Sequence, residues 1–343
     1  MESFVASLLK EKLHRPTEGL TITKLHGDAS YRTYYRLRFK DGHSMILMQL
    51  PPGKSSVSEE VTNLQEVPLE LPFVAIDHYL KRLGLPVPEI YYYAKKERLL
   101  FLEDFGDITF EKQIMNLPLE EKEVWYQKAI GLLVTFQTKG EKTQEDNLAH
   151  RRSFDATLLN WEFDHFFEYG IETRLAKKIP ESQLSTLRHY ANTITTDLIK
   201  MPQTLVHRDF QSRNLMVSQG GLKLLDFQDA LMGPLPYDLV ALLRDSYIAL
   251  PSDLLLRLTQ HYHNIRSQEI NLNFESFQKM FDKMTIQRKL KDAGRFVYID
   301  RVKGNSSFLK HIPNSLSYVH EAFKRQTELK DFFELLKKYV PEF

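Results

Sequence analysis

The residues best suited to chemistry lie within positions 205–238, the run LVHRDFQSRNLMVSQGGLKLLDFQDALMGPLPYD. His207, Arg208 and Asp209 are followed, five residues after the aspartate, by Asn214, and Asp226-Phe227-Gln228 begins twelve residues beyond that asparagine. This spacing suits phosphoryl transfer. Asp209, on a short loop, would accept a proton from a substrate hydroxyl, while Asn214 and Asp226 would carry magnesium on the nucleotide phosphates. The intervening residues supply a way to bring the two ligands together. Residues 215–217 and 222–225 are apolar runs on either side of Gly220-Gly221, a pattern for a tight hairpin that returns Asn214 to the side of Asp226. A charged tripeptide alone is common on solvated loops; here the asparagine, the hairpin and the second aspartate follow in order.

The flanking sequence divides into a β-rich part and a helical part. Phe4, Val5, Leu8, Leu9 and Leu13 fall at helical spacing and predict a helix over 3–14, stopped before Pro16. Strands are expected over 20–25, 31–39 and 44–50, the last two joined by Asp41-Gly42. A Pro-, Ser- and Glu-rich stretch, 51–71, reads as a loop. Pro72 opens a helix through Leu83 that closes at Gly84, and strands follow at 90–93 and 99–102. Beyond Glu103 the spacing of large apolar residues becomes helical over 119–138, 154–169, 181–199, 236–249, 251–265 and 274–303. Only 205–228 interrupts these with strands. The expected fold is α+β and bilobal: a small antiparallel β-sheet N-lobe with an inserted helix over 1–103, and a larger, mainly helical C-lobe over 104–343. The metal pair then falls at the lobe boundary, where ligand clefts tend to lie.

On the nucleotide side, Gly27, Asp28, Ala29, Ser30 and Arg32 form a turn between the first two strands whose small residues would let backbone N–H groups approach phosphate oxygens. The same residues also make an ordinary hairpin turn. In the third strand, where a kinase places a lysine for the α- and β-phosphates, this chain has Met48 or Gln49. Arg32, Arg36 or Lys54 are the cations available to replace it, and an inactive, scaffold-type kinase is the alternative. At the lobe junction the backbone of Leu102, Glu103 and Asp104 is placed to read an adenine edge, with a solvated turn as the competing reading of the two acidic side chains.

Composition narrows the class further. With 46 Lys plus Arg against 45 Asp plus Glu over 343 residues, no charge excess favours nucleic acid or an anionic membrane. Aromatic and aliphatic content suits an ordered globule. The absence of cysteine excludes disulfides and thiolate metal sites. The N-terminus lacks the basic start and apolar run of a signal peptide, and no stretch approaches the ~20 apolar residues of a membrane span. A cytoplasmic, monomeric protein is expected.

These residues carry a resemblance. Gly27-Asp28-Ala29-Ser30-Tyr31-Arg32 with Tyr35-Arg36-Leu37, Leu102-Glu103-Asp104-Phe105-Gly106-Asp107, the run from His207 to Met216, Leu225-Asp226-Phe227-Gln228-Asp229-Ala230, Gly233-Pro234, and Tyr237-Asp238-Leu239-Val240 with Leu243-Arg244-Asp245 resemble the aminoglycoside phosphotransferase and choline kinase superfamily. Gln287-Arg288 and the region 305–309 extend the likeness over nearly the whole chain. Within it the chain is most similar to the bacterial anomeric N-acetylmuramate/N-acetylglucosamine kinases of cell-wall sugar recycling. The resemblance implies a protein-kinase-like fold, magnesium, ATP or GTP as co-substrate, and transfer of the γ-phosphate to a sugar's anomeric hydroxyl. A kinase for another small alcohol remains the neighbouring possibility. Arg213 would stabilise the transferring phosphoryl or bind a substrate carboxylate, with a salt bridge inside the loop as the alternative. Glu162 and His165, on a segment similar to the family's acceptor-site helix, with Gln211 and Arg288, are acceptor candidates. Phe163, Phe166 and Phe167 read as core, Asp238 as a brace for the catalytic loop, and Arg288, Lys289 and Lys291 either meet a carboxylate or form a solvated helix face.

Overall fold

A computed structural model describes residues 2–25, 32–51, 70–143 and 146–343. Helix α1 (Glu2–Leu13) precedes strands β1 (Thr21–Lys24), β2 (Thr33–Arg38) and β3 (Ser44–Gln49); helix α2 (Pro72–Arg82), β4 (Ile90–Ala94) and β5 (Leu99–Glu103) complete the N-lobe. The strands form one antiparallel sheet in the order β1-β2-β3-β5-β4. Alternation along β3 and β5 sorts the side chains between two faces. Leu47 and Phe101 pack with Val5, Leu8 and Leu9 of α1. Met48, Leu100 and Leu102 face the other way and pack with Phe73, Ile76 and Leu80 of α2, in a core continuous with the helical lobe. Met48, at a position where a phosphate-binding lysine is expected, is therefore an apolar core residue.

The C-lobe runs through α3 (Phe110–Ile114), α4 (Leu119–Lys142), α5 (Ala156–His165), a π-helix (Phe166–Thr173) and α6 (Glu181–Lys200). Four short strands follow, β6 (Gln203–Val206), β7 (Leu215–Ser218), β8 (Gly221–Leu224) and β9 (Leu231–Pro234), pairing as β6-β9 and β7-β8. Helices α7 (Tyr237–Leu243), α8 (Ser252–Ile270), α9 (Phe274–Lys303), α10 (Ile312–Arg325) and α11 (Lys330–Leu336) close the chain.

Three features depart from the sequence expectation. The helix expected over 236–249 stops at Leu243, because the Asp245 carboxylate takes the Tyr247 amide at 2.9 Å and the Ser212 amide at 2.8 Å instead of allowing another turn. The helix expected over 154–169 passes into a π-helix, whose wider turn keeps Phe163, Phe167 and Ile171, four apart, on the buried side. The β6-β9 pair, α3, α10 and α11 lie outside the expected elements, although Ile312, Leu316, Val319 and Phe323 carry a helical period.

Close approach of α9 to the start of the π-helix depends on Gly294, where an added Cβ would lie 2.8 Å from the Phe166 Cα. Gly294→Ala should therefore lower stability by roughly 1–3 kcal/mol in urea titrations. Gly131→Ala, in α4 with nothing within 4 Å of the added carbon, should raise it by about 0.5–1 kcal/mol. Asp77 on α2 is 1% exposed and its Oδ1 has no hydrogen-bond partner; burial outweighs the pull of Lys81 and lifts its carboxyl from 3.8 to about 7. The native chain then holds a proton that the unfolded chain has released, so stability present below about pH 4 is lost as pH rises to about 7. Asp77→Asn should match wild type at the acidic end and exceed it by roughly 2–4 kcal/mol above neutrality, measured as denaturation midpoints across pH.

Candidate active site

The hairpin assembles the acidic pair. Gln219 and Gly220 adopt left-handed backbone angles, φ 51° and 73°, and turn β7 into β8. Leu215 pairs with Leu224, and one residue further the Leu225 amide donates to the Asn214 carbonyl at 2.9 Å. Asn214 and Asp226 are thereby held at adjacent strand ends. The Asn214 Nδ2 donates to the Asp209 carbonyl at 3.0 Å, which leaves its amide oxygen for another task. Gln228 Nε2 donates to Asp226 Oδ1 at 2.9 Å and orients that carboxylate.

The loop carrying Asp209 is fixed from below. Arg208 has φ 80°, a strained value for a side-chain-bearing residue. It is held there from both sides. The buried Asp238 carboxylate accepts the His207 amide at 2.6 Å and the Arg208 amide at 3.0 Å, while Arg288 Nη1 donates to the Arg208 carbonyl at 2.8 Å. Arg288 Nη2 lies 3.6 Å from Asp209 Oδ1, and its guanidinium stacks over Tyr237. The far end of the loop is tied by Asp245 to the Ser212 amide and by the Ser212 carbonyl to the Glu111 amide of α3.

Charge differs between the two aspartates. Burial would raise the Asp209 carboxyl, but Lys291, Arg288 and Arg208 together hold it below the ordinary carboxylate range. Its side chain remains 36% exposed and so can meet a substrate. Asp226 is pushed up to about 6 by desolvation in the cleft and then by the negative charge of Asp209, although solvent still reaches it. A second negative group held close to Asp209 calls for a cation. The Asn214 amide oxygen and the Asp226 carboxylate are hard donors of the kind magnesium takes, with one or two carboxylates and the remaining ligands from water and phosphate. Among the described residues no cluster of three or more His, Cys, Asp or Glu could hold a metal without such help. The donor set fits a metal that arrives with phosphates.

The remaining candidates fall in different places. Gly27, Asp28, Ala29, Ser30 and Lys54 lie outside the described residues. Arg32 interacts electrostatically with Tyr34, Asp226 and Asp229, which puts one N-lobe cation near the candidate metal ligands. Arg36 is not available: its guanidinium meets Asp104 at 2.6 Å and Asp107 at 2.6 Å. This also corrects the reading of Asp104. Its side chain is 3% exposed and ion-paired to Arg36, not part of a solvated turn. Leu102 and Glu103 sit in the ladder with β3, and Glu103 Oε2 accepts the Glu89 amide. Arg213 is bidentate to Glu111, at 2.9 and 3.2 Å, and stacks on the Tyr247 ring at 3.7 Å. Gln211 is half-buried in the loop, its amide bonded to the Asp209 carbonyl.

Glu162 is fully buried, accepts Gln287 Nε2 at 2.6 Å and lies 3.6 Å from Arg208 Nη2. His165 stacks among Trp161, Tyr169 and Tyr298; burial, then the charges of Arg295 and Lys291, lower it to about 4, so the ring is neutral. The solvated-face reading of Arg288, Lys289 and Lys291 is overturned. Residues 284–294 of α9 are all buried, and the charges survive there because they face one another and the catalytic loop. Asp292 does not stand out in the sequence for the same reason: polar residues on every side of a helix read as exposed.

Residues 21–270 match the phosphotransferase enzyme family profile. The chain belongs to that phosphotransferase enzyme family. Two curated relatives, both named N-acetylmuramate/N-acetylglucosamine kinase, are similar over almost their full length. The protein of Neisseria meningitidis serogroup B is 29% identical over 95% of this chain and 92% of its own. That of Pseudomonas putida is 30% identical over 92% and 87%. Among solved structures, choline kinase LicA from Streptococcus pneumoniae superposes with a TM-score of 0.61 at 17% identity, covering 96% of this chain and 99% of that one. A putative aminoglycoside phosphotransferase from Ralstonia eutropha gives 0.61 at 10% identity, covering 96% and 98%. These structures share the fold. As a member of the phosphotransferase enzyme family, the chain is an enzyme that transfers a phosphoryl group to a hydroxyl acceptor. Among the described residues no helix is long and apolar enough to cross a membrane.

Asp238→Asn keeps the side chain's shape but turns an N–H₂ group toward one of the two amides it now accepts. One buried hydrogen bond lost costs about 1–3 kcal/mol, so kcat should fall roughly 10- to 100-fold in steady-state assays, with the folded secondary structure retained by circular dichroism.

Proposed function

We propose that this phosphotransferase is a magnesium-dependent kinase that moves the γ-phosphate of ATP or GTP to the anomeric hydroxyl of N-acetylmuramate or N-acetylglucosamine, giving the sugar 1-phosphate. In this reading residues 1–103 hold the nucleotide and 104–343 carry the catalytic and acceptor groups. The observation that carries it is the hairpin-built pair of Asn214 and Asp226 beside an ionised, accessible Asp209, in a chain about 30% identical to two kinases named for these sugars.

Asp209 orients the sugar hydroxyl and takes its proton as the oxygen attacks the γ-phosphorus and the β–γ bridging oxygen leaves with the nucleoside diphosphate. General-base action of this kind contributes about 10²–10⁴-fold. Asn214 and Asp226 would hold the magnesium, whose charge offsets that of the phosphate oxygens in transfer. With apolar Met48 in the third strand, Arg32 is assigned the phosphate-facing charge that a strand lysine supplies elsewhere. Arg213, committed to Glu111 and Tyr247, is assigned to holding the loop against α3.

Purified protein with MgATP or MgGTP should consume nucleotide in the presence of either sugar. Phosphorus NMR of the product should show coupling to H1, and Asp209→Ala should reduce kcat by about 10²-fold or more. Turnover with choline or an aminoglycoside but with neither sugar would overturn the assignment. A product phosphorylated at C6 would overturn the anomeric site.

A further inference from the structure

Four cations converge beneath the catalytic loop: Arg208, Arg288, Lys289 and Lys291. Three have short-range partners that engage them. Arg208 faces Glu162 at 3.6 Å, Arg288 is bonded to the Arg208 carbonyl and faces Asp209, and Lys289 donates to Asp292 at 2.6 Å and to Ser246 at 3.1 Å. Lys291 stands apart. Its side chain is 9% exposed, yet its Nζ makes no hydrogen bond among the described residues, and its nearest carboxylate oxygen, on Asp292 at 3.7 Å, belongs to a group already bonded by Lys289. The Nζ is also absent from the atoms sealed from solvent without a partner, so the buried stem delivers an ammonium tip that solvent can still touch.

The neighbours of this tip are unsatisfied in a complementary way. Tyr237 Oη, Glu162 Oε1 and Gln287 Oε1 are buried without a hydrogen-bond partner. Tyr237 and Glu162 both interact electrostatically with Lys291, and Gln287 is bonded to Glu162. The same ammonium acts on Asp209, which aligns the nucleophile. Buried polar atoms left unpaired are uncommon, because each costs about 1–3 kcal/mol. A cation without a hydrogen bond, partly open to solvent beside Asp209 and backed by polar atoms that have no partner of their own, describes a place for the anionic group of a ligand.

We propose that Lys291 binds the carboxylate of the acceptor and so sets the enzyme's preference for an N-acetylated sugar acid over a neutral N-acetylhexosamine. The inference rests on the sugar-kinase reading above and adds to it the residue that distinguishes the two sugars. Arg288 does not serve this purpose, since it is committed to the loop carbonyl and Asp209. Lys289 does not, since its ammonium is bonded to Asp292 and Ser246.

The test compares full-length wild type with Lys291→Met and Lys291→Arg in steady-state kinetics on N-acetylmuramate and N-acetylglucosamine with MgATP. Lys291→Met should raise KM for N-acetylmuramate roughly 10- to 100-fold, the range of a lost charge-assisted contact, and leave KM for N-acetylglucosamine within about threefold, while kcat falls by a similar factor on both sugars because the same ammonium acts on Asp209. Lys291→Arg should recover part of the loss. An equal rise of KM on both sugars, or a fall in kcat on both with neither KM changed, would overturn the proposal in favour of a role in phosphoryl transfer or folding. Wild-type protein supplies a measurement free of folding effects: the methyl ester of N-acetylmuramate should show a KM roughly tenfold or more above that of the acid, and equal values would overturn carboxylate recognition. Failure of wild type to turn over either sugar is a different result, and it removes the sugar-kinase reading itself.

Discussion

The grip of Asp238 and Arg288 on Arg208 is the constraint on which the site depends. A residue with a positive φ costs of order 1–3 kcal/mol and persists only when its surroundings over-determine it. Here one carboxylate takes the successive amides of His207 and Arg208, and one guanidinium takes the Arg208 carbonyl. The chain leaving that strained residue has a single direction open to it, and Asp209 is the next residue. Its carboxylate then faces the cleft beside the guanidinium that fixes its own backbone. Asp238 achieves this from full burial. Desolvation lifts its carboxyl to about 7, against the opposing pull of the His207 and Arg208 amides and of Arg288.

Burying so many charges beneath one loop needs compensation, and the order of the charges supplies it. Along α9, Arg288 answers Asp209, Lys289 and Lys291 flank Asp292, and Gln287 reaches Glu162 across to α5. Asp292 is driven well below the ordinary carboxylate range by these neighbours, against a burial effect of opposite sign. Removing one member of such a set leaves another uncompensated, which is why buried pairs are costly to break though they add little to net stability. The same field acts on the chemistry. Asp209 is held below the ordinary carboxylate range, while Asp226 is made harder to ionise by burial and then by the charge of Asp209. A divalent cation at Asn214 and Asp226 would relieve that repulsion.

Much of this was legible in the sequence where short-range rules apply. The hairpin between Asn214 and Asp226 follows from two apolar runs around paired glycines, and the antiparallel sheet with its inserted helix follows from period-two and period-3.6 spacing. What escaped the sequence depends on tertiary contact. Asp104 looks like a solvated acidic turn until Arg36, 68 residues earlier, arrives beside it. Residues 284–294 look amphipathic in no direction, because a helix buried on all sides with internal charge pairs leaves no polar face to detect. The end of α7 at Leu243 is likewise set by Asp245 capturing an amide of the catalytic loop, 33 residues away in the chain.

The ties between the lobes follow from the same economy of contacts. Arg36 on β2 binds Asp104 and Asp107 at the junction, and the junction in turn pairs with the hairpin: the Val217 amide donates to the Ile108 carbonyl at 2.8 Å. Three residues on, Glu111 accepts Arg213 and donates its amide to Ser212. The segment that connects the sheet to the helices is thus also a wall of the catalytic loop. A shift of the N-lobe sheet against the C-lobe would be transmitted through Arg36 to the residues that hold Asn214 in place. Arg32 lies on the segment leading into the strand that carries Arg36, and its charge acts on Asp226. Strand β2 and the residue before it therefore carry both the cation that fixes the junction and a cation acting on Asp226, so the sheet and the hairpin are tied through nearby positions of the chain.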